Sequence, residues 1–329
     1  SPYESAAQLA NFHITRYNRI GASAGIIPAF DVLAASEIPH AIARAPSGDI
    51  YITGQAWDAV NLKWDVVTAK CSADLTSCPF SHRYTFAADS DERGFGVAVA
   101  PDGTVYVAGH ILKNASPTGW DFLVLKYDAN LTGQPAVVTY HTAACNNDYG
   151  RAVAVDNAGN VFVTGSRASV PTCGSAEVER DMFTVRWPPD LSVTNAVVTG
   201  QAGAGNEEEA FGIAIDSTTQ QVVVAGYSRG TGGNGAYVVK YNNSPMTFVA
   251  SAQFPGDHKA FAVAVDRLGN VVAVGEANSG ANKDYLTLKY TPNLSVLLGS
   301  ATYAGLLADT AYAVAVGTTG LIYVTGGSS

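Results

Sequence analysis

Residues 94–109 read GFGVAVAPDGTVYVAG: small and large apolar residues alternate, a turn follows at Asp102 and Gly103, and a second alternating run stops at a glycine. Period-two alternation on both sides of a Gly-bearing turn is the pattern of two antiparallel strands in a hairpin. The same text returns as PHAIARAPSGDIYITG (39–54), GRAVAVDNAGNVFVTG (150–165), AFGIAIDSTTQQVVVAG (210–226), AFAVAVDRLGNVVAVG (260–275) and AYAVAVGTTGLIYVTG (311–326). Six such copies imply a repeat architecture in which each unit buries its face against the next.

The two strands of the copy are A and B. A polar loop follows, then a third strand C (DVVTAKC, DFLVLKYD, DMFTVRWP, AYVVKYN, DYLTLKYT) and a looser fourth, D, such as PAVVTYHTA. The sixth copy ends after its B strand, whereas NFHITRYN (11–18) has the character of strand C and GIIPAFDVLAA (25–35) that of strand D, both ahead of any A strand. The expectation is an all-β, six-bladed β-propeller with four antiparallel strands per blade. One domain spans 1–329, and its last blade is a composite of 1–35 and 308–329. Such closure hides sheet edges. Strict alternation further predicts Phe95, Val97 and Val99 on one face of strand A, with Gly96, Ala98 and Ala100 on the other.

Apolar residues make up 47% of the 329 and charged residues 14%, a globular composition with material for a core. No apolar run approaches the roughly 18 residues a membrane helix needs, so no transmembrane segment is expected. The net charge of −9 and the lack of any Lys/Arg run argue against nucleic acid. Four cysteines, a start at Ser1 and abundant Thr, Ser, Asn and Gly suggest an exported protein: secreted, periplasmic or on the cell surface.

The string AVAVDNAGNVFVTG (152–165), with an Asp shortly before it and DxxxxKY after it, resembles the bacterial beta-propeller repeat family of secreted and cell-surface proteins. The resemblance extends along the whole chain. It implies a propeller scaffold and an extracellular setting, and it brings no catalytic motif. The fourth copy departs from the pattern, with Ser217, Thr218 and Thr219 where a glycine is usual.

Variable loops on a rigid scaffold are where binding residues gather. The B-to-C loops (55–64, 110–120, 166–180, 227–235, 276–283) and the D-to-A connections share one loop-rich face. Just before strand A the repeats align Glu37, Glu92, Asp148, Glu208, His258 and Asp309. Acids here accept hydrogen bonds in the D-to-A turn. As a ring they are also a candidate metal site for Ca²⁺, which takes oxygen ligands. Asn11, Asp65, Asp121, Asp181, Gly235 and Asp284 open strand C and read as turn caps. Arg16, Lys70, Lys126, Arg186, Lys240 and Lys289 form a basic column on the opposite side, where Asp156, Asp216 and Asp266 are potential partners. Cys71 is expected to pair with Cys78, and Cys145 with Cys173. Nothing resembles a nucleophile elbow, a phosphate loop or a HExxH helix. The expected function is therefore a scaffold binding a protein, glycan or surface polymer through the loop-rich face. The alternative is a metal-dependent hydrolase or lyase at the channel mouth, acting on a small polar substrate.

Overall fold

The alternating segments fold as strands. The computed structural model describes residues 12–17, 23–30, 36–113, 119–141, 147–168, 180–192, 197–201, 207–229, 234–278, 280, 282–305 and 307–328. Among them there is no α-helix, so no helix is long and apolar enough to cross a membrane.

Five sheets carry four strands each in chain order. The first is β3 (Glu37–Arg44), β4 (Ile50–Asp58), β5 (Lys63–Cys71) and β6 (Phe80–Tyr84). The second is β7 (Asp91–Val99), β8 (Val105–Leu112), β9 (Trp120–Tyr127) and β10 (Ala136–Tyr140). β11 (Asp148–Val155), β12 (Val161–Ala168), β13 (Arg180–Trp187) and β14 (Val197–Gln201) form the third. The fourth comprises β15 (Glu207–Ile215), β16 (Val222–Arg229), β17 (Gly235–Tyr241) and β18 (Phe248–Pro255). The fifth comprises β19 (Lys259–Val265), β20 (Val271–Asn278), β21 (Lys283–Tyr290) and β22 (Leu297–Tyr303).

Each chain end carries one hairpin. β1 (Phe12–Tyr17) pairs with β2 (Ser23–Phe30), and β23 (Asp309–Val316) with β24 (Ile322–Ser328), as separate two-stranded sheets. The chain divides into two compact units, residues 1–153 and 154–329.

In the first unit, Tyr51 and Val66 pack with Val97, Val107, Leu123 and Leu125, burying the first full sheet against the second. In the second unit, Val223 and Val238 meet Val263, Leu286 and Leu288, and Val272 and Val274 meet Ala311 and Val324. Each such side chain contributes about 1.5–3 kcal/mol when fully buried. These contacts lie between sheets, so each sheet depends on its neighbour.

Strand A is not a plain alternating strand. The register slips by one residue between Pro39 and Ala41, Gly94 and Gly96, Ala210 and Gly212, Ala260 and Ala262, and Ala311 and Ala313. The extra residue is His40, Phe95, Phe211, Phe261 or Tyr312, and Arg151 holds the same place in the repeat carried by β11. The B strands run two to four residues beyond the glycine at which the sequence pattern stops, and the β-bulge explains why a glycine stands there. A Cβ on Gly54, Gly109, Gly226, Gly275 or Gly326 would run into the carbonyl oxygen of Ile38, Arg93, Glu209, Lys259 or Thr310. The bulge also corrects the strict alternation: Phe95 leaves the ladder, and the phase restarts at Gly96.

At the A-to-B end, the basic column stitches repeats together. Lys240 is buried, lies 3.4 Å from Asp216 and donates to the Pro292 carbonyl of the next repeat at 2.9 Å. Lys289 pairs with Asp266 at 3.0 Å. Lys70 pairs with Asp49 at 3.2 Å and donates to Asn130 of the next repeat at 2.8 Å. Arg186 donates to Asn160 rather than pairing with Asp156. Cys71 and Cys78 form a disulfide across the β5–β6 connection. Cys145 and Cys173 lie outside the described residues.

Candidate functional site

The aligned acids sit where the repeat puts them. Glu37, Asp148 and Asp309 open β3, β11 and β23, Glu92 and Glu208 are the second residues of β7 and β15, and His258 precedes β19. All five acids are buried. Glu92 accepts from Ser90 Oγ and from the Phe86 amide, and Asp309 accepts from the Gly305 amide. Both therefore act as turn acceptors. Glu208 accepts from Ser228 Oγ at 3.2 Å, and His258 Nδ1 accepts from the Asn278 amide at 3.1 Å. Among the described residues, no three His, Cys, Asp or Glu side chains gather into a metal-binding group.

The acids that open strand C differ from the expected turn caps. Asp65 is gripped by Arg83, Asp121 pairs with Lys113 at 3.2 Å and Asp181 with Arg167 at 3.3 Å. The two acidic columns also meet. Burial pushes the Glu92 carboxyl up to about 8, its Ser90 and Phe86 donors oppose this, and Asp65 of the preceding repeat pushes it further up. Glu208 is raised to about 7 by burial, against the Ser228 bond and with the charge of Asp181 adding to the rise. A carboxyl opening one C strand thus faces a carboxyl opening the next A strand, an arrangement that favours one proton between them.

The bulge residues assemble a second feature. In the first unit the His40 and Phe95 rings lie 4.5 Å apart, and Phe95 stacks on His110 at 4.8 Å. His110 meets Trp120 edge-on at 4.6 Å and Tyr149 at 5.1 Å. The Arg93 guanidinium lies 5.0 Å from the Trp120 ring, and Arg151 lies 5.4 Å from Phe95 and 5.5 Å from Tyr149. These are cation–π distances. Burial, with Arg151 and Arg93 adding, holds the His110 imidazole well below its usual pKa, so it is neutral at physiological pH. His40 is exposed, whereas Phe95, Trp120, Tyr149, Arg93 and Arg151 are half-buried, so the cluster presents aromatic faces and guanidinium groups to solvent.

The second unit carries its own run. Phe211 and Phe261 are 5.1 Å apart, and Phe261 and Tyr312 are 5.9 Å apart. Lys259 and Arg229 flank Tyr227, at 4.5 and 5.3 Å. Tyr227 donates to Glu207, and Arg229 pairs with Asp257 at 2.8 Å. In the sequence, the signal for this column was one large residue set between small ones, with a B-strand glycine opposite. Strict alternation places it on one face of the strand instead, because a bulge is a property of two strands.

Residues 138–166 match the family model described as beta-propeller repeat. No curated protein matches the chain in sequence. Among solved structures, the chain is similar to the Hadza microbial sialidase Hz136, with a TM-score of 0.54 at 9% identity over 84% of this chain. It spans 59% of that protein's length. A protein of unknown function from Dyadobacter fermentans matches with a TM-score of 0.53 at 11% identity, over 84% of this chain and 86% of the other. The β-propeller domain of the Trilobed protease from Pyrococcus furiosus matches with a TM-score of 0.50 at 8% identity, over 90% and 80%. At these identities the likeness is one of fold. The chain carries a repeat of the beta-propeller repeat family at 138–166, and its fold is similar to that of β-propellers along most of its length.

Proposed function

We propose that the chain is a secreted or cell-surface β-propeller that binds a partner protein through the end where its A strands begin. The observation that carries this reading is the cluster of His40, Phe95, His110, Trp120 and Tyr149 bracketed by Arg93 and Arg151. Trp, Tyr and Arg dominate the energetics of protein interfaces, because they bury large areas while keeping a polar or charged handle. The Cys71–Cys78 disulfide is compatible with an extracellular setting. A hydrolase or lyase built on the acidic ring needs a cation, and no observation favours one.

The test compares immobilised wild-type protein with the Trp120→Ala/Arg151→Ala variant, each exposed to surface and secreted fractions of the source cells. The reading expects a protein that the wild type retains and the variant releases. Equal retention by both, or retention of glycan alone, counts against it.

The same proposal includes closure into one six-bladed ring spanning 1–329, with β1 and β2 serving as strands C and D beside β24. Two features support it. β1 pairs with β2 in the register expected of strands C and D. The last hairpin ends at an open edge and leaves Tyr323 59% exposed, while β3 of the first full sheet leaves Ile42 60% exposed. Exposed apolar faces and edges of this kind are what closure would cover. The Pyrococcus furiosus propeller is described as having an open velcro topology, so an open ring is the competing arrangement.

A further inference from the structure

The turn between β15 and β16 departs from the rule that the other repeats keep. Elsewhere a glycine takes the left-handed position of the A-to-B turn: Gly48, Gly103, Gly159, Gly269 and Gly320, at φ between 81 and 97°. The fourth repeat has one residue more in this turn and puts Gln220 there, at φ 58°. A side chain in that region costs about 1–2 kcal/mol relative to ordinary backbone. The cost is local and avoidable, since five sibling turns avoid it.

That strain holds a carboxamide in place. Gln220 Oε1 accepts from the Asn157 amide at 3.0 Å, and its Nε2 donates to the Ser217 carbonyl at 3.0 Å. The side chain thereby forms part of the wall of a cleft of about 650 Å³ between the third and fourth repeats, within the range of small-ligand sites. The cleft is at the A-to-B end of the strands, away from the bulge residues. Asp156 in its wall receives the amides of Ala158 and Asn160 and the side-chain nitrogens of Asn160 and Asn243. Arg186 donates to Asn160 Oδ1 at 2.8 Å, and Gln221 Nε2 donates to Asn242 Oδ1 at 3.0 Å.

The lining is chemically narrow. It holds one acid and one base, Asp156 and Arg186, so its formal charge is zero and it offers no net attraction to an ion. It includes no aromatic ring and no large aliphatic side chain, so its apolar surface comes from small groups such as Ala158 and Pro245 and from the stems of polar side chains. Beside Ala158 and Pro245, what remains is carboxamides and hydroxyls, each amide both donor and acceptor, and Asn160, Gln220, Gln221, Asn242 and Asn243 are held by hydrogen bonds before any ligand arrives. Hydroxyl groups likewise donate and accept. We propose that this cleft binds a neutral, hydroxyl-rich ligand, a glycan chain, with the Gln220 carboxamide as a recognition group.

The test is amide-detected NMR of the full chain titrated to millimolar concentration with maltohexaose, cellohexaose, xylohexaose and chitohexaose, and with polygalacturonate as the charged control. The proposal expects at least one neutral hexasaccharide to move the side-chain signals of Gln220, Gln221 and Asn243. Gln220→Gly removes the side chain from the left-handed position while keeping the longer turn, so it should leave the melting temperature equal or higher while weakening binding about tenfold. Silence across the neutral panel, a response to polygalacturonate alone, unchanged affinity in Gln220→Gly, or a marked drop in its melting temperature would overturn the assignment. Neither Trp120 nor Arg151 lines the cleft, so failure here leaves the partner-binding proposal standing.

Discussion

Glu92 and Glu208 are buried carboxyls whose folded pKa values, about 8 and about 7, lie above the usual value of 4.5. Between those limits the folded protein holds protons that the unfolded chain has released. Stability conferred by the protonated form is therefore complete near pH 4 and is lost as pH rises through about 7–8. The charged group facing Glu92 is Asp65, which is held by Arg83, and Arg83 also pairs with Asp58; the group facing Glu208 is Asp181, held by Arg167. Thermal melts should show a decline between about pH 5 and pH 8.5, on the order of 1–3 kcal/mol. Glu92→Gln keeps the neutral form, so it should flatten that decline and exceed the wild type above about pH 8. A variant as pH-sensitive as the wild type contradicts the assignment. The acids were legible as two columns, because turns repeat. Their meeting was not, since it joins position 65 to position 92 across two sheets. Gly109 gives a second residue-scale expectation: Gly109→Ala drives a methyl into the Arg93 carbonyl and should cost about 1–3 kcal/mol, read by chemical denaturation. A cost near zero would mean that the bulge yields.

Strands and turns carry the links between repeats. Lys240 and Asp216 are each about 1% exposed, and the same ammonium reaches the Pro292 carbonyl of the following repeat. Lys240→Met leaves Asp216 buried without its cation and should destabilise by about 3–5 kcal/mol in denaturant melts, with Lys240→Met/Asp216→Asn recovering part of the loss. An additive double variant would show that the two groups act independently. Strand identity was legible because period-two alternation survives in every copy, and the basic column because one position in each C strand is cationic. The partner of each cation was not, because Lys70 and Lys240 bind turns of the next repeat, which no periodicity within a repeat reveals. The bulge is the same case: Phe95 looks like one more large residue until the opposite strand fixes the register at Gly94 and Gly96.

At the scale of the whole molecule, the proposed ring requires the N-terminal hairpin to pair with the C-terminal one. Six A–B copies and an N-terminal C–D pair were visible in the sequence, because the offset in the repeat leaves β1 and β2 without an A strand of their own. A closed ring removes the β24 edge, and an open one leaves its outward amides to water. Hydrogen exchange of residues 322–328, measured in the full chain and in a chain lacking residues 1–35, separates the two directly. Closure predicts slow exchange of alternate outward amides along β24 in the full chain, and rapid exchange of those same amides once 1–35 are removed. Rapid exchange of these amides in both chains, with unchanged melting temperature, would contradict the composite blade.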